Sequence, residues 1–178
     1  VGVYSDGEYL DLVLTESLGV GEVIEKLNVS APPTIKFLHA TPVEIVENVK
    51  RLPQAMALLD GARYIIKIKL NGTSKVEEEM MNTLNESKWE IVKKTKKGEK
   101  LTDIKPFVKE FKYWVKDNEL VLNTLIATGS RENLSADLLV TYLKGKISEV
   151  NVDSFVNIKR EEMYILKNNK YVPLYKGI

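Results

Sequence analysis

The sequence contains no cysteine and a single histidine, His39, among its 178 residues. Without cysteine the chain has no disulfide, no thiolate zinc site, no cysteine-ligated iron–sulfur cluster and no cysteine nucleophile. One histidine does not make a metal site, so His39 is more simply interpreted as a structural residue. We therefore expect neither a metal nor another cofactor to be held by this chain itself.

Long apolar runs are also missing. No stretch of eighteen consecutive apolar residues occurs, which excludes a membrane-spanning helix. The opening residues, VGVYSDGEYLDL, carry neither a basic nor an apolar leader segment. Because 44% of the residues are hydrophobic and 29% are charged, the composition is that of an ordinary globular protein. The sequence predicts a cytoplasmic protein without a membrane partner.

Residue combinations typical of catalysis are scarce. Asp6, Glu8 and Asp11 are close in sequence, but Glu8 and Asp11 have opposite strand parity and cannot share one face of a strand. The glycines are single and lack the spacing of a dinucleotide or phosphate loop. The sequence therefore predicts no catalytic residue and argues against a self-contained enzyme.

The second part of the chain has clear alternation and turn signals. ARYIIKIKL (62–70) predicts a strand with Arg63, Lys67 and Lys69 pointing outward. Ser74 and Glu77 have capping-box spacing, Asp117-Asn118 favours a tight hairpin, and Ser135 can cap a helix. Residues 62–166 thus follow the order strand, helix, strands, helix, strand, which is typical of a ferredoxin-like α+β unit.

The first part of the chain predicts a strand at 8–14, a short helix at 20–28 and a strand at 35–43. This order fits the last half of a similar unit, whose missing strand and helix would precede Val1. We therefore expect an α+β fold with two subdomains. Residues 1–50 would be the C-terminal part of a truncated ferredoxin-like subdomain, 51–61 a joint, and 62–178 the second subdomain.

Positive charge is concentrated in one segment, KKTKKGEKLTDIKP (93–106). The formal net charge of the whole chain is only +1, yet residues 88–116 alone sum to +6. Lysines on a hairpin often serve solubility or protect a sheet edge. Alternatively, lysines neutralise phosphates while aromatic faces stack bases, the combination used for single-stranded nucleic acid. Aromatic residues do occur in the same window: Trp89, Phe107, Phe111, Tyr113 and Trp114.

Two details limit this interpretation. Strand alternation puts Phe111 and Tyr113 on the face opposite Trp114, so only one of these sets can lie in the core. Asp103 has no partner carboxylate or histidine nearby in sequence, so it is better interpreted as an Asx-turn residue or an ion-pair partner of a lysine than as a catalytic acid.

Several stretches together resemble the radical-SAM-linked protein family, a bacterial family of unknown function. They are SDGEYLDLVLTE (5–16), PQAMALLDGARY (53–64), KKTKKGEKLTDIKP (93–106), TGSRENLSADLL (128–139) and IKREEMYIL (158–166). Matching positions in the basic segment are Thr95, Lys96, Lys97, Gly98, Asp103 and Pro106.

The resemblance implies a partner. Members of this family are encoded beside, or fused to, a radical S-adenosylmethionine protein, which would use S-adenosylmethionine and an iron–sulfur cluster. The resemblance also implies that an N-terminal segment with histidine motifs is absent from this chain. It carries over no catalytic residue, because the family has none assigned.

The leading hypothesis is an accessory module of a radical-SAM system that binds RNA or presents a substrate through the lysine-rich segment. The alternatives are a domain of an enzyme that acts on a small or modified substrate with groups from the absent segment, and an adaptor that docks on a protein. The candidate contact residues, for nucleic acid or partner, are Lys94, Thr95, Lys96, Lys97, Gly98, Lys100, Asp103 and Trp114.

Overall fold

A computed structural model describes residues 3–43, 54–95, 98–130 and 132–177, and for Lys94 and Thr95 it describes the backbone alone. Two of the predicted contact residues, Lys96 and Lys97, therefore lie outside the described residues, as does the N-terminal part of the predicted joint. The division into subdomains at this joint stays a prediction.

The described chain has an α+β fold, as the sequence predicts. Its strands are β1 Val3–Ser5, β2 Gly61–Lys69, β3 Glu90–Thr95, β4 Gly98–Asp103, β5 Val108–Lys116, β6 Glu119–Ala127, β7 Asn157–Lys167 and β8 Lys170–Pro173. Its helices are α1 Val20–Ser30, α2 Val76–Asn85, α3 Ala136–Lys144 and α4 Leu174–Gly177. None of the helices that the structure describes has the length and apolar character needed to cross a membrane.

The main sheet has the strand order β1-β7-β2-β6-β5, and β8 pairs with β7. Its four long strands are antiparallel to their neighbours, whereas the short β1 runs parallel to β7. Together with α2 and α3, these four long strands reproduce the strand–helix–strand–strand–helix–strand order of a ferredoxin-like unit. The remaining pair, β3 and β4, is inserted between α2 and β5 and forms a two-stranded sheet of its own.

One face of the main sheet carries the core. Alternate residues of β2 (Ala62, Tyr64, Ile66 and Ile68) are buried, as the outward orientation of Arg63, Lys67 and Lys69 predicts. The helices contribute buried residues to the same hydrophobic cluster, among them Val76 and Met80 of α2 and Leu139 and Leu143 of α3. We call this the helix face of the sheet and the opposite one the open face.

Two tight hairpin turns contain Asp or Asn residues with positive φ angles, and the first of them is the turn that the sequence predicts. Asp117 and Asn118, between β5 and β6, have φ angles of 52° and 59°. Asn168 and Asn169, between β7 and β8, have φ angles of 49° and 59°. Asn and Asp tolerate this left-handed conformation better than other residues with a Cβ, which is why these turns are visible in the sequence.

The predicted strands at 8–14 and 35–43 are wrong. Both segments are irregular, and the leucines whose alternation indicated a strand, Leu10, Leu12 and Leu14, are exposed. Alternation predicts which face a residue would take, but a strand also needs a neighbour for its backbone hydrogen bonds, and none pairs with either segment in the described chain. The helix between them is confirmed as α1.

The predicted capping box of α2 is also wrong. Ser74 donates its hydroxyl to Glu149 Oε1 (2.7 Å), and the backbone N–H of Lys75 donates to Glu149 Oε2 (2.8 Å). The predicted partner Glu77 instead accepts a hydrogen bond from the Tyr113 hydroxyl (2.9 Å). The backbone donor of Lys75, followed by the Ser74 hydroxyl, lowers the pKa of Glu149. A distant carboxylate therefore caps this helix.

We predict that Glu149→Gln lowers the free energy of unfolding at pH 7, because the start of α2 loses its charged acceptor. Since the pKa of Glu149 is lowered in the folded state, its stabilisation is present above the ordinary glutamate pKa of about 4.3 and is lost as the pH falls through the folded-state value. Urea unfolding from pH 7 toward pH 3 should show the difference from the parent shrinking.

The matched control is Glu78→Gln, which removes the same charge from the first turn of α2. If Glu78→Gln were as destabilising as Glu149→Gln, or if the effect of Glu149→Gln did not depend on pH, the capping role would be contradicted.

Candidate functional site

The hairpin of β3 and β4, which we call the basic hairpin (90–103), is fixed to the core at its base by Trp89. This side chain is 1% exposed, and its ring stacks on Tyr142 with centroids 5.4 Å apart. It also packs edge-on against Phe111 at 5.8 Å, and its Nε1–H donates to the Thr83 carbonyl oxygen at 2.9 Å. Trp89 is therefore a core residue and is not free to stack on a ligand.

Asp103 closes the same base. Its Oδ1 accepts the backbone N–H of Trp89 at 2.8 Å and that of Lys105 at 3.0 Å. The second bond has the spacing of an Asx turn, which confirms the turn interpretation of this residue. Because one carboxylate oxygen bonds both ends of the insertion, the contribution of Asp103 to any binding surface is to hold the hairpin in place.

Helix α2 ends against this base. Lys105 Nζ donates to the carbonyl oxygens of Leu84 (2.8 Å) and Glu86, at the end of the helix where cations are favoured. Glu86 accepts hydrogen bonds from Lys146 Nζ (2.6 Å) and the Tyr142 hydroxyl (2.7 Å), and these two donors lower its pKa. Burial, followed by the bond to Glu86, raises the pKa of Tyr142. The base of the hairpin is thus held by a polar network as well as by apolar packing.

The two faces of the basic hairpin differ. Ile91 packs against the core cluster, and Lys93, two residues further on the same face, donates from Nζ to the Asn133 carbonyl oxygen at 2.8 Å. Lys100 pairs with Lys93 across the hairpin and is exposed. The opposite face carries the cross-strand pair Val92 and Leu101, which are 51% and 59% exposed.

The far half of the hairpin contains the remaining predicted contacts. The register pairs Lys94 with Glu99 and Thr95 with Gly98. Gly98 has a φ angle of +115°, a conformation that residues with a Cβ rarely adopt, so the chain needs glycine where it enters β4. Because the described residues 98–101 are all exposed, this half of the hairpin lies away from the core.

Trp114 does not lie with the hairpin. Phe111 and Tyr113 pack against the core cluster on the helix face of β5, and Phe111 touches Trp89 at the hairpin base. Trp114 has the opposite parity, so it lies on the open face, where it is 42% exposed. The structure therefore separates two parts of the predicted site that the sequence places only twenty residues apart.

Lysines of two strands share the open face with Trp114: Lys67 and Lys69 of β2, and Lys112 and Lys116 of β5. All four are exposed, and none makes an ion pair or side-chain hydrogen bond within the described residues. The sequence predicts that Lys67 and Lys69 point outward, but it does not show that they lie on the same face as the lysines of β5. The missing information is the register of β6, which lies between the two strands.

The acidic residues near the N-terminus make separate contacts. Asp6 forms an ion pair with Lys159 and Glu8 one with Arg160, both on β7, while Asp11 accepts the backbone N–H of Ala55 at 3.0 Å. They tie the N-terminal segment to the main sheet and do not form a cluster. Within the described ranges no three His, Asp or Glu side chains gather around a point that could hold a metal ion.

His39 lies outside any strand, in contrast to the sequence prediction, and is exposed. Its ring is stacked on that of Tyr175 of α4, with centroids 6.2 Å apart. This contact joins the irregular segment after α1 to the C-terminal helix, which agrees with a structural role for the histidine.

The two tryptophans allow a direct test of these placements. We predict that Trp89→Ala lowers the free energy of unfolding by about 3–5 kcal/mol, because a large side chain leaves a packed core. Trp114→Ala should cost about 1 kcal/mol or less, since its side chain is partly exposed. Urea unfolding measures both, and Trp89→Phe serves as a milder core variant if Trp89→Ala does not fold. Equal losses for the two alanine variants would contradict the placement.

Comparison with known proteins identifies a family. Residues 1–136 match the family described as "Uncharacterized protein conserved in bacteria (DUF2344)", a match that covers about three quarters of the chain. No curated protein and no solved structure matches the chain. Since the match includes β1 to β6, the basic hairpin and the start of α3, the chain belongs to this uncharacterised bacterial family.

Proposed function

We propose that this chain is an accessory module of a radical-SAM system and that it binds single-stranded RNA through the basic hairpin. The observation that carries the proposal is the construction of the hairpin. Trp89 and Asp103 fix its base to the core, whereas residues 98–101 of its far half are exposed. The contacts proposed at this half are Lys94, Thr95, Lys96, Lys97, Gly98 and Lys100.

A fixed base favours this role on physical grounds. A hairpin of two strands alone is marginally stable in water, so the packing of Trp89 and Ile104 against the core stabilises the hairpin whose sequence contains these lysines. A binding segment with a fixed base loses less conformational freedom when it binds than a free one does. Their charge also attracts a polyanion from a distance at low salt.

The radical-SAM connection rests on the sequence resemblance given above. In this proposal the partner is a radical-SAM protein encoded nearby or fused, and the partner supplies S-adenosylmethionine and the iron–sulfur cluster. The present chain supplies recognition, because it has no cysteine to ligate a cluster. The module would then work in the cytoplasm, presenting RNA or another substrate to the enzyme.

A second candidate function is docking on a protein, and one observation favours it. Val92 and Leu101 form an exposed apolar pair on the hairpin face opposite Ile91 and Lys93. The charged backbone of an RNA does not gain from contact with an apolar pair. Exposed apolar side chains grouped on one face are typical of protein contacts. The two functions use different residues of the hairpin, so they can be separated by mutation.

We predict that replacing Lys94, Lys96, Lys97 and Lys100 together with Ala weakens RNA binding and flattens its salt dependence. Each lysine–phosphate contact on a single strand contributes about 0.7 to the slope of log affinity against log salt, so four contacts contribute roughly 3. Fluorescence anisotropy with a labelled 12-nucleotide oligouridylate between 50 and 300 mM salt measures this slope.

The matched control replaces four exposed lysines elsewhere: Lys36, Lys75, Lys167 and Lys170. This variant has the same net charge as the hairpin variant, so it separates a local contact from a general loss of positive charge. If the hairpin variant bound the oligonucleotide as the control variant does, the hairpin would not be an RNA site.

We predict that the chain forms a complex with the radical-SAM protein encoded beside it when the two are co-expressed. Size-exclusion chromatography measures co-elution. The Val92→Ser/Leu101→Ser variant tests whether this apolar pair contacts the radical-SAM protein. Loss of co-elution in this variant with RNA binding intact would assign the apolar face to the partner. Failure of the parent chain to co-elute would contradict the accessory role.

A further inference from the structure

The open face of the main sheet has an ordered grid of side chains at the end near the Asp117-Asn118 turn. The register of β2, β6 and β5 places residues of three strands side by side on this face. Starting from the turn, the rows are Lys69–Glu119–Lys116, then Lys67–Val121–Trp114, then Ile65–Asn123–Lys112. We call the set Lys67, Lys69, Lys112, Trp114 and Lys116 the open-face patch.

The charge of this patch is not neutralised. Its four lysines face a single carboxylate on the grid, that of Glu119, and they take part in no ion pair among the described residues. The other end of the same face is different. There Arg63 bonds Glu110 at 2.6 Å and Asn123 at 2.9 Å. The positive charge left for a partner is therefore at the turn end alone.

The two ends differ in access as well. A Cβ placed on Gly61 would lie 3.1 Å from the Tyr171 ring and 3.5 Å from Leu125, so Tyr171 covers the sheet at the Arg63 end. At the turn end the four lysines and Trp114 are exposed. The open-face patch is thus a bounded surface, framed by β2 and β5 with β6 between them.

Trp114 lies in the middle of this surface. On β5 it has Lys112 and Lys116 two residues away on either side, about 7 Å along the strand. Lys67 lies in the same row two strands away, about 10 Å across the sheet. A flat aromatic ring surrounded by cations at these distances matches a nucleotide, whose base can stack while its neighbouring phosphates meet the lysines.

We infer that the open-face patch is a second contact surface for single-stranded RNA, on which Trp114 stacks a base and Lys67, Lys69, Lys112 and Lys116 bind the flanking phosphates. The inference rests on the proposed function and extends it, since it adds a surface on the other side of the sheet from the hairpin base. RNA held at both places would pass around the edge strand β5, the strand that belongs to both surfaces.

The composition of the patch favours RNA over a protein partner. Val121, the apolar residue in the row of Trp114, is buried beneath its neighbours, so Trp114 is the one large apolar side chain that these rows expose in the described structure. The cores of protein interfaces are depleted of lysine, whereas this surface has four around a single ring. An acidic protein surface would satisfy the charges, whereas every nucleotide of a single strand supplies both a phosphate for the lysines and a flat base for Trp114.

The test uses the fact that the chain has two tryptophans, of which Trp89 is buried and Trp114 is exposed. The full chain is titrated with a 12-nucleotide oligouridylate and, in parallel, with an abasic oligomer of the same length. We expect oligouridylate to quench tryptophan fluorescence and the abasic oligomer to quench it much less. Quenching should disappear in Trp114→Phe, whose remaining tryptophan is Trp89. Trp114→Ala should bind about 5- to 150-fold more weakly with an unchanged salt slope.

Replacing Lys67, Lys69, Lys112 and Lys116 together with Ala should reduce the salt slope by roughly 3, as measured against the Lys36, Lys75, Lys167 and Lys170 control variant.

If RNA binds but this variant behaves like the control and no quenching occurs, the inference fails and the hairpin proposal stands. Equal quenching by the abasic oligomer overturns stacking. If only the open-face variants lose binding, the open-face patch is the RNA site and the hairpin proposal fails. If the parent chain binds no RNA, both fail.

Discussion

The arrangement depends on a sheet that α2 and α3 cover on one face, while the other face stays exposed at the end near the Asp117-Asn118 turn. Because α2 and α3 pack on the helix face, alternate residues of β2 such as Ile66 and Ile68 are buried there, and their neighbours Lys67 and Lys69 must point the other way. Because side chains alternate along a strand, β2 places lysines on the open face without removing an apolar residue from the core. The positive charge of this face follows from the same alternation that builds the hydrophobic cluster.

The basic hairpin depends on a different contact. Its strands pair only with each other in the described structure, so they gain nothing from the ladder of the main sheet. Trp89 compensates by entering the core between Phe111 and Tyr142, and Asp103 ties the two ends of the insertion together. Because a buried aromatic anchors the base, the far half can be charged and exposed without loss of core packing.

Local signals in the sequence predicted the local structure. The Asp117-Asn118 turn, the Ser135 cap and the alternation of β2 each involve residues close together in the chain, and each is confirmed. What failed depends on partners far away. Glu149 caps a helix that begins more than seventy residues earlier, and the alternating leucines after Glu8 have no strand to pair with in the described chain. Neither fact can be read from composition or spacing, because the partner is chosen by the tertiary fold.

In the candidate site, too, nearness in sequence did not predict which residues lie together in the fold. Grouping by nearness in sequence put Trp114 with the hairpin lysines, although one residue of strand parity places it on the other side of the sheet. Grouping by register instead joins Lys67 to Trp114 through Val121 of β6, across almost fifty residues of sequence. A chain with a net charge of +1 thus has local surfaces of high positive charge, since its acids are engaged elsewhere, with Asp6 and Glu8 on β7 and Glu149 at α2. Where the charges lie in the fold, and not their sum, decides which polyanion the protein can attract.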